Sequence, residues 1–160
     1  MTIRPIRELG DPVLRTPAEP VRAFDRELAG LVRDLEETVD HPGRAGLAAP
    51  QIGVGVRAFS YNIDGAIGHL VNPRVVELSE ETQDGDEGCL SVPGIWAPTV
   101  RSMHCAVEGF DVHGEPLRLE GSGLMARCLQ HEVDHLDGTV FLDRLAGDAR
   151  KSALRALRAR

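Results

Sequence analysis

The fold is decided by the stretch Gln130-His131-Glu132-Val133-Asp134-His135-Leu136-Asp137-Gly138. Residues four apart lie on one face of a helix, about 6 Å apart along its axis, so His131 and His135 can reach the same metal ion. Glu132 directly follows the first histidine, where its carboxylate can act as a general base toward water at that metal. The stretch therefore predicts a helix that carries a metal site, and an exposed, charged helical turn is the alternative interpretation.

The residues around this stretch predict where the helix begins and ends. Ser122 is a candidate N-cap, and Gly138 stands where a left-handed C-cap glycine belongs. We therefore expect a helix over about 123–137. A second face of this helix is apolar and suited to packing in a core: Leu129, Val133 and Leu136.

The third metal ligand is expected upstream of the histidines. No histidine or glutamate follows His135, and Phe141 occupies the position where one zinc-protease pattern has its third histidine. Cysteine is the natural candidate, because thiolate and imidazole both bind zinc or ferrous iron. A downstream aspartate, Asp143 or Asp148, is the remaining alternative.

Among the three cysteines, we choose Cys89, which we place in a loop after Gly88, where the backbone can approach a metal without steric cost. Cys105 lies in an apolar strand pattern and is expected in the core. Cys128 lies about 7.5 Å along the helix axis from the midpoint between the histidines, so we expect it in a pocket wall or in the core.

The rest of the chain predicts short strands and two further helices. Four prolines in residues 1–24 favour an extended N-terminal arm. Asp25 is a candidate N-cap of a helix that ends before His41, and a C-terminal helix is expected from about 147. The predicted strands are about 54–61, 67–71, 74–78, 104–112, 116–120 and 139–142. Because short strands precede a late helix, we expect an α+β fold.

Composition limits the class of protein. A length of 160 residues fits one domain, 1–160. The net charge of −7 disfavours a nucleic-acid-binding module, and the longest uncharged run, 88–100, is too short to span a membrane. We therefore expect no DNA and no membrane as partner. No apolar segment follows the N-terminal Met1-Thr2-Ile3-Arg4-Pro5, and the cysteine count is odd, so we expect no signal peptide, reduced thiols and a cytoplasmic location.

Three segments together resemble the motifs of the peptide deformylase family. They are Arg44-Ala45-Gly46-Leu47-Ala48-Ala49-Pro50-Gln51, Glu87-Gly88-Cys89-Leu90-Ser91 and the stretch from Gln130 to Gly138. Their order and spacing agree with the family over nearly the whole chain. The resemblance implies mixed, largely antiparallel sheets packed around a central helix that carries the motif, with a C-terminal helix. It also implies removal of the N-formyl group from the formylmethionine of nascent proteins, with release of formate.

The resemblance further implies a role for each matching residue. The implied ligands of one divalent metal ion are Cys89, His131 and His135. Ferrous iron is the ion expected from the family, and Zn²⁺, Ni²⁺ or Co²⁺ can take its place. Glu132 would be the general base, while the Gln51 amide and the Leu90 backbone N–H would hold the oxyanion. Gly46 would let the substrate backbone approach closely, and the candidate walls of the methionine pocket are Ala45, Leu124, Cys128 and His131.

The chain departs from the family pattern at two positions. Arg44 replaces the first glycine of the opening motif, which affects binding beyond the methionine more than the chemistry. Trp96 stands at an offset after Cys89 where some members carry an arginine near the substrate. This tryptophan either covers the bound peptide or anchors its own loop.

Two further features lead to expectations about contacts. We predict an ion pair between Glu87 and Arg101 that fixes the segment carrying Cys89, because a carboxylate so near a thiolate needs a neutralising cation. The basic C-terminal helix, Ala149 to Arg160, is expected either to contact ribosomal RNA or to be a solvated helix end. The alternative functions are a metallopeptidase that cleaves ordinary peptide bonds and a catalytically inactive metal-binding paralogue.

Overall fold

The structure is a computed structural model that describes residues 3–160. Met1 and Thr2 lie outside the described residues. They belong to the N-terminal segment from which no signal peptide was expected. The helices are α1 (Arg26–Val39), α2 (Leu124–Leu136) and α3 (Gly147–Arg158). The strands are β1 (Gly46–Ala48), β2 (Ala58–Ile63), β3 (Ala66–Leu78), β4 (Thr82–Cys89), β5 (Val92–Ser102), β6 (His104–Phe110) and β7 (Pro116–Ser122).

The strands form two antiparallel sheets. The larger has the order β1-β2-β3-β6-β7, and the smaller is the hairpin β4–β5. An isolated parallel bridge joins Glu19 of the N-terminal arm to Val56. The α+β fold with largely antiparallel sheets and a C-terminal helix is therefore confirmed.

Helix α2 is central because its two faces pack against different sheets. Its apolar face, with Leu129, Val133 and Leu136, shares a core with Phe59 and Leu70 of the five-stranded sheet. Its polar face turns toward the β4–β5 hairpin, where Gln130 donates to the Ser102 carbonyl and accepts from the Ser102 N–H. A helix bearing two histidines and a glutamate is thus buried on both sides.

Helices α1 and α3 each pack into a further hydrophobic core, separate from that of α2. Helix α1 begins at the predicted cap, where the Asp25 side chain accepts from the Leu28 N–H at 3.0 Å, and packs Leu35 and Val39 against the strands near Leu47. Helix α3 packs Ala153 against the hairpin, in a cluster with Val92 and Phe141. No helix of residues 3–160 is long and apolar enough to cross a membrane.

Some predicted elements differ from the structure. The predicted strand 139–142 is wrong: Phe141–Arg144 is a 3₁₀ turn, in which the Asp143 side chain accepts from the Val140 N–H. A short apolar run cannot be assigned to strand or helix by periodicity alone, and here tertiary packing decides. Ser122 is also not the cap of α2, because it ends β7 and Gly123 is the N-cap. Gly138 does follow α2 with a positive φ of 80°, as expected.

The strands before the hairpin also differ in extent. The predicted strand 54–61 begins later, at Ala58, and the two predicted strands on either side of Asn72-Pro73 are one strand, β3. β3 continues through the proline because its register shifts between Val71 and Arg74. Asn72 adopts a positive φ of 50° there, and its side chain bonds both the N–H and the carbonyl of Val21. The turn residues thus bend the strand rather than end it.

Candidate metal centre

Three metal-binding side chains converge at one point between the hairpin and α2. Cys89 Sγ lies 3.3 Å from His135 Nε2, which lies 3.1 Å from His131 Nε2. The three ligand atoms are all within 4.8 Å of one another, and no other such group of three occurs in residues 3–160. One cysteine sulfur and two imidazoles that share a point match the donor set of a catalytic zinc or iron site.

The position of each ligand follows from its element. His131 and His135 lie one turn apart on α2, so their rings meet edge to face with centroids 4.8 Å apart. Cys89 was expected in a loop, but it is the last residue of β4. The strand ends there because the register with β5 shifts between Gly88 and Cys89, which turns the thiol toward α2. The motif segment that contains Cys89 and the motif segment that contains the two histidines therefore face each other on the buried side of the hairpin.

Glu87 orients the first histidine. Its Oε2 lies 2.6 Å from His131 Nδ1, which leaves Nε2 for the metal. A carboxylate bonded to the second ring nitrogen of a metal-binding histidine is the usual way of fixing its orientation. Burial alone would raise the pKa of Glu87, but the bonds with His131 and Arg101 outweigh it and hold this pKa well below its ordinary value.

The expected Glu87–Arg101 pair is confirmed and is buried. Arg101 donates from Nε and Nη2 to the two carboxylate oxygens at 3.0 and 2.6 Å, and both side chains are 4% exposed. A second cation, Arg127, donates to Glu87 Oε1 at 2.8 Å. Asp134 accepts from Arg101 and from the more exposed Arg144. Glu87 is therefore held by two arginines, so the hairpin and α2 are tied together beside the candidate metal ligands.

Sequence reasoning missed several residues of this network. Arg127 lies four residues before His131, so helical spacing could have placed both on one face. Asp134 lies inside the motif, between the histidines, but nothing in the sequence showed which cation it meets. Ser91 was likewise unassigned, although it follows Cys89 by two residues. Phe141 stacks on His131 with ring centroids 6.3 Å apart, a contact between distant segments that no local pattern reveals.

Glu132 faces the site without a fixed partner. Its carboxylate is buried, and Oε1 has no hydrogen-bond partner among the described residues. Burial raises the pKa of this carboxyl to about 7, although the neighbouring His131 opposes the rise. Gly46 makes room for it, because a Cβ at Gly46 would lie 2.5 Å from Glu132 Oε2. An orphaned buried carboxylate with a pKa near neutrality is the state expected of a proton-transfer group.

Gln51 presents its amide nitrogen to the same point. Its Oε1 accepts from the Ala48 N–H at 2.9 Å, which fixes which end of the amide faces the site. Its Nε2 donates to Ser91 Oγ at 3.1 Å and lies 3.7 Å from Cys89 Sγ. Leu90 occupies the short turn between β4 and β5. The Gln51 side-chain N–H and the turn that contains Leu90 therefore both lie beside Cys89.

A cavity of about 770 Å³ opens onto these groups. It is lined by every residue that the sequence assigned to the site except His135, which is fully buried behind the other two ligands. The lining members are Ala45, Gly46, Gln51, Cys89, Leu90, Leu124, Cys128, His131 and Glu132. Burial raises the pKa of the Cys128 thiol well above its ordinary value, so this wall residue stays protonated, with its Sγ 3.4 Å from the Ala45 carbonyl.

Comparison with known proteins agrees with this geometry. The family model described as polypeptide deformylase matches residues 3–151. The chain belongs to the peptide deformylase family. A relative named peptide deformylase from Acidothermus cellulolyticus is 60% identical over 158 residues, which cover 99% of this chain and 87% of that protein.

Solved structures give the same result. A peptide deformylase from Legionella pneumophila superposes with a TM-score of 0.91 at 40% identity and covers 99% of this chain and 95% of that one. The deformylase of Thermotoga maritima gives a TM-score of 0.87 at 38% identity over 92% of this chain and all of the other. The family and the enzyme class expected from the sequence are therefore confirmed, and a single metal site accords with both.

Proposed function

We propose that this chain is a hydrolase that removes the formyl group from N-terminal formylmethionine and releases formate. The observation that carries the proposal is the position of Glu132: an unpartnered, buried carboxylate beside three converging ligand atoms, in a chain of the deformylase family. A site that only binds metal needs neither this carboxylate nor the Gln51 amide. We also propose that residues 1–160 act as one catalytic domain.

Cys89, His131 and His135 would hold the metal ion. They fit it because their three ligand atoms face one another, and burial lowers the pKa of His135 well below its ordinary value, which keeps this imidazole neutral for ligation. The ion supplies Lewis-acid chemistry, which activates water and polarises the formyl carbonyl. Ferrous iron is the proposed ion, although a Cys-His₂ site binds Zn²⁺ more tightly by the general affinity order, so supply decides which ion is present.

The protein side chains then handle the proton and the developing charge. Glu132 takes a proton from the water molecule that attacks the formyl carbon, and donates it to the amine nitrogen as formate leaves. The Gln51 Nε2 and the Leu90 backbone N–H stabilise the negative oxygen of the tetrahedral intermediate. Gly46 lets the substrate backbone pass close to Glu132, while Ala45, Leu124, Cys128 and the His131 ring form walls for the methionine side chain.

Formate release separates this function from its alternatives. We expect formyl-Met peptides to be processed far faster than acetyl-Met peptides, because the space between Gly46, Gln51 and Leu90 has little room for a methyl group on the reacting carbon. A metallopeptidase would cleave internal bonds of either peptide, and an inactive metal-binding protein would release nothing. Comparable kcat/KM for formyl and acetyl substrates would contradict the proposed function.

We also propose a cytoplasmic location and contact with ribosomes through α3. The exposed cations of this helix include Lys151, Arg155 and Arg158, in a chain of net charge −7. Replacing these three by glutamine should reduce co-sedimentation with ribosomes at low salt, since phosphate contacts are strongly salt-dependent. The matched control replaces Arg22, Arg26 and Arg33, which are also exposed. Equal loss in both triple variants would indicate a general charge effect and would contradict a specific contact.

A further inference from the structure

Trp96 is held at the mouth of the cavity with most of its ring exposed. It is the only tryptophan of the chain, it lines the cavity, and it is 66% exposed. Its ring lies over Gly88, where a Cβ would meet ring carbons at 2.7 Å. The two alternatives considered for Trp96 are thus combined: the ring packs on its own hairpin, beside the residue before Cys89, and its other face remains open to a ligand.

Asp86 lies on the same outer face of the hairpin. Directly paired residues of antiparallel strands share a face, and Trp96 pairs with Gly88 while Asp86 pairs with Pro98. Asp86 is therefore a diagonal neighbour of Trp96, at a separation of about 7–8 Å that one long side chain can bridge. Asp86 is exposed, lines the cavity, and makes no ion pair with any of residues 3–160.

The other exposed or basic side chains that line the cavity do not neutralise the negative charge of Asp86. Asp40 also lines the cavity and adds a second exposed carboxylate. The two arginines that line the cavity are engaged elsewhere. Arg44 Nη1 donates to the Thr38 carbonyl at 2.6 Å, and the buried Arg127 donates to Glu87 and to the Thr99 carbonyl, both at 2.8 Å. An open aromatic face beside an unpaired carboxylate is complementary to a cation, and tryptophan is the strongest aromatic partner for one.

We propose that Trp96 and Asp86 together bind a lysine or arginine side chain of the substrate, at the first or second position after the formylmethionine. This inference rests on the proposed function, because the ligand is the remainder of the same substrate chain. The cavity of about 770 Å³ is in the size range of ligand sites, and both Asp86 and Trp96 line it, so a peptide bound in the cavity can contact them with a residue beyond the methionine. The enzyme therefore deformylates nascent chains with an early basic residue faster than those with a neutral or acidic one.

The test compares formate release from formyl-Met peptides that carry Lys, Gln or Glu at the second or the third position. We expect kcat/KM for Lys to exceed that for Gln by about 2- to 5-fold at one of the two positions, the range of an exposed cation–aromatic contact. Asp86→Asn and Trp96→Ala should each lower this Lys/Gln ratio toward one, and Trp96→Phe should retain part of it. Salt at about 1 M should remove the contribution of Asp86.

Two substitutions on the same face provide matched controls. Asp84 and Val100 form the next direct pair on that face, are exposed, and do not line the cavity. Asp84→Asn and Val100→Ala should therefore leave the Lys/Gln ratio unchanged. The inference is overturned if the enzyme shows no Lys preference at either position, or if the preference survives in both Asp86→Asn and Trp96→Ala.

Fluorescence of Trp96 provides a second measurement that does not depend on turnover. Because no other tryptophan emits, titration with the product peptides Met-Lys-Ala-Ser and Met-Gln-Ala-Ser, or with their third-position counterparts, reports binding at this ring directly. We expect tighter binding of a Lys peptide by a similar 2- to 5-fold, and loss of the difference in Asp86→Asn. Absence of formate from all peptides would contradict the proposed function alone, whereas equal Kd values for Lys and Gln would overturn this inference.

Discussion

At the scale of single residues, the missing side chain of Gly46 gives the Glu132 carboxylate its place. The nearest atoms to a Cβ at this position would be Glu132 Oε2 at 2.5 Å and Cys128 Sγ at 2.8 Å. No left-handed backbone angle is involved, so the requirement is space alone. Glycine is needed in β1 because the strand passes directly over the Glu132 carboxylate, the proposed proton-transfer group.

Gly46→Ala should therefore lower kcat/KM by at least about 100-fold, because displacement of a catalytic group by about 1 Å costs that much. The fold should be retained, as shown by an unchanged circular dichroism spectrum. Gly55→Ala is the matched control, since a Cβ at Gly55 meets open space, and this variant should keep its activity. Activity of Gly46→Ala close to that of the unmodified chain would show that Glu132 does not need this space.

Cys105 gives a prediction about alkaline stability. Burial raises the pKa of this thiol from 9.0 to about 11. Between these pH values the unfolded chain releases a proton that the folded chain retains, so the free energy of unfolding falls as pH rises from 9 to about 11. In reducing buffer, urea unfolding at about pH 8 and about pH 10.5 should show a smaller fall for Cys105→Ala than for the unmodified chain. Equal falls in both proteins would contradict a buried, protonated thiol.

At the scale of elements, the β4–β5 hairpin is held to α2 by buried ions. Removing either Glu87 or Arg101 leaves an unpaired charge and should cost about 3–5 kcal/mol in the free energy of unfolding. The double variant should cost less than the sum of the two, as measured by chemical denaturation. The exposed pair Arg74–Glu108 is the control, with a cost of about 0–1 kcal/mol. Strictly additive losses at Glu87 and Arg101 would mean that they do not interact.

The same hairpin shows why the sequence predicts some elements and not others. Helix α2 was predictable because its motif, its apolar face and Gly138 all indicate the same helix. β4 was not predicted, because Thr82–Cys89 has almost no apolar side chain and therefore no alternation. Its strand conformation depends on β5 and on arginines distant in sequence, which fix Glu87. For the site, spacing and motif predicted the three residues whose ligand atoms converge and the buried Glu132 beside them, whereas the second arginine on Glu87 is visible only in three dimensions.

At the scale of the whole molecule, two hydrophobic cores flank helix α2 and meet at the candidate metal ligands. The core under the five-stranded sheet contains Leu129 and Val133, while the core under the hairpin contains Phe141, which stacks on His131. The residues that would hold the metal and move the proton are therefore set between rigid elements. This arrangement suits preorganised catalysis, in which the side chains need no large movement during the reaction.

The central claim is that Glu132 moves a proton while Cys89 binds the metal, and one paired measurement tests it. Metal content per chain and formate release are determined for Glu132→Ala and Cys89→Ala beside the unmodified chain. We expect Glu132→Ala to retain its metal and to lose about 10²- to 10⁴-fold in kcat, the usual contribution of a general base. Cys89→Ala should lose metal and activity together. Loss of metal in Glu132→Ala, or full metal content in Cys89→Ala, would contradict the assignment.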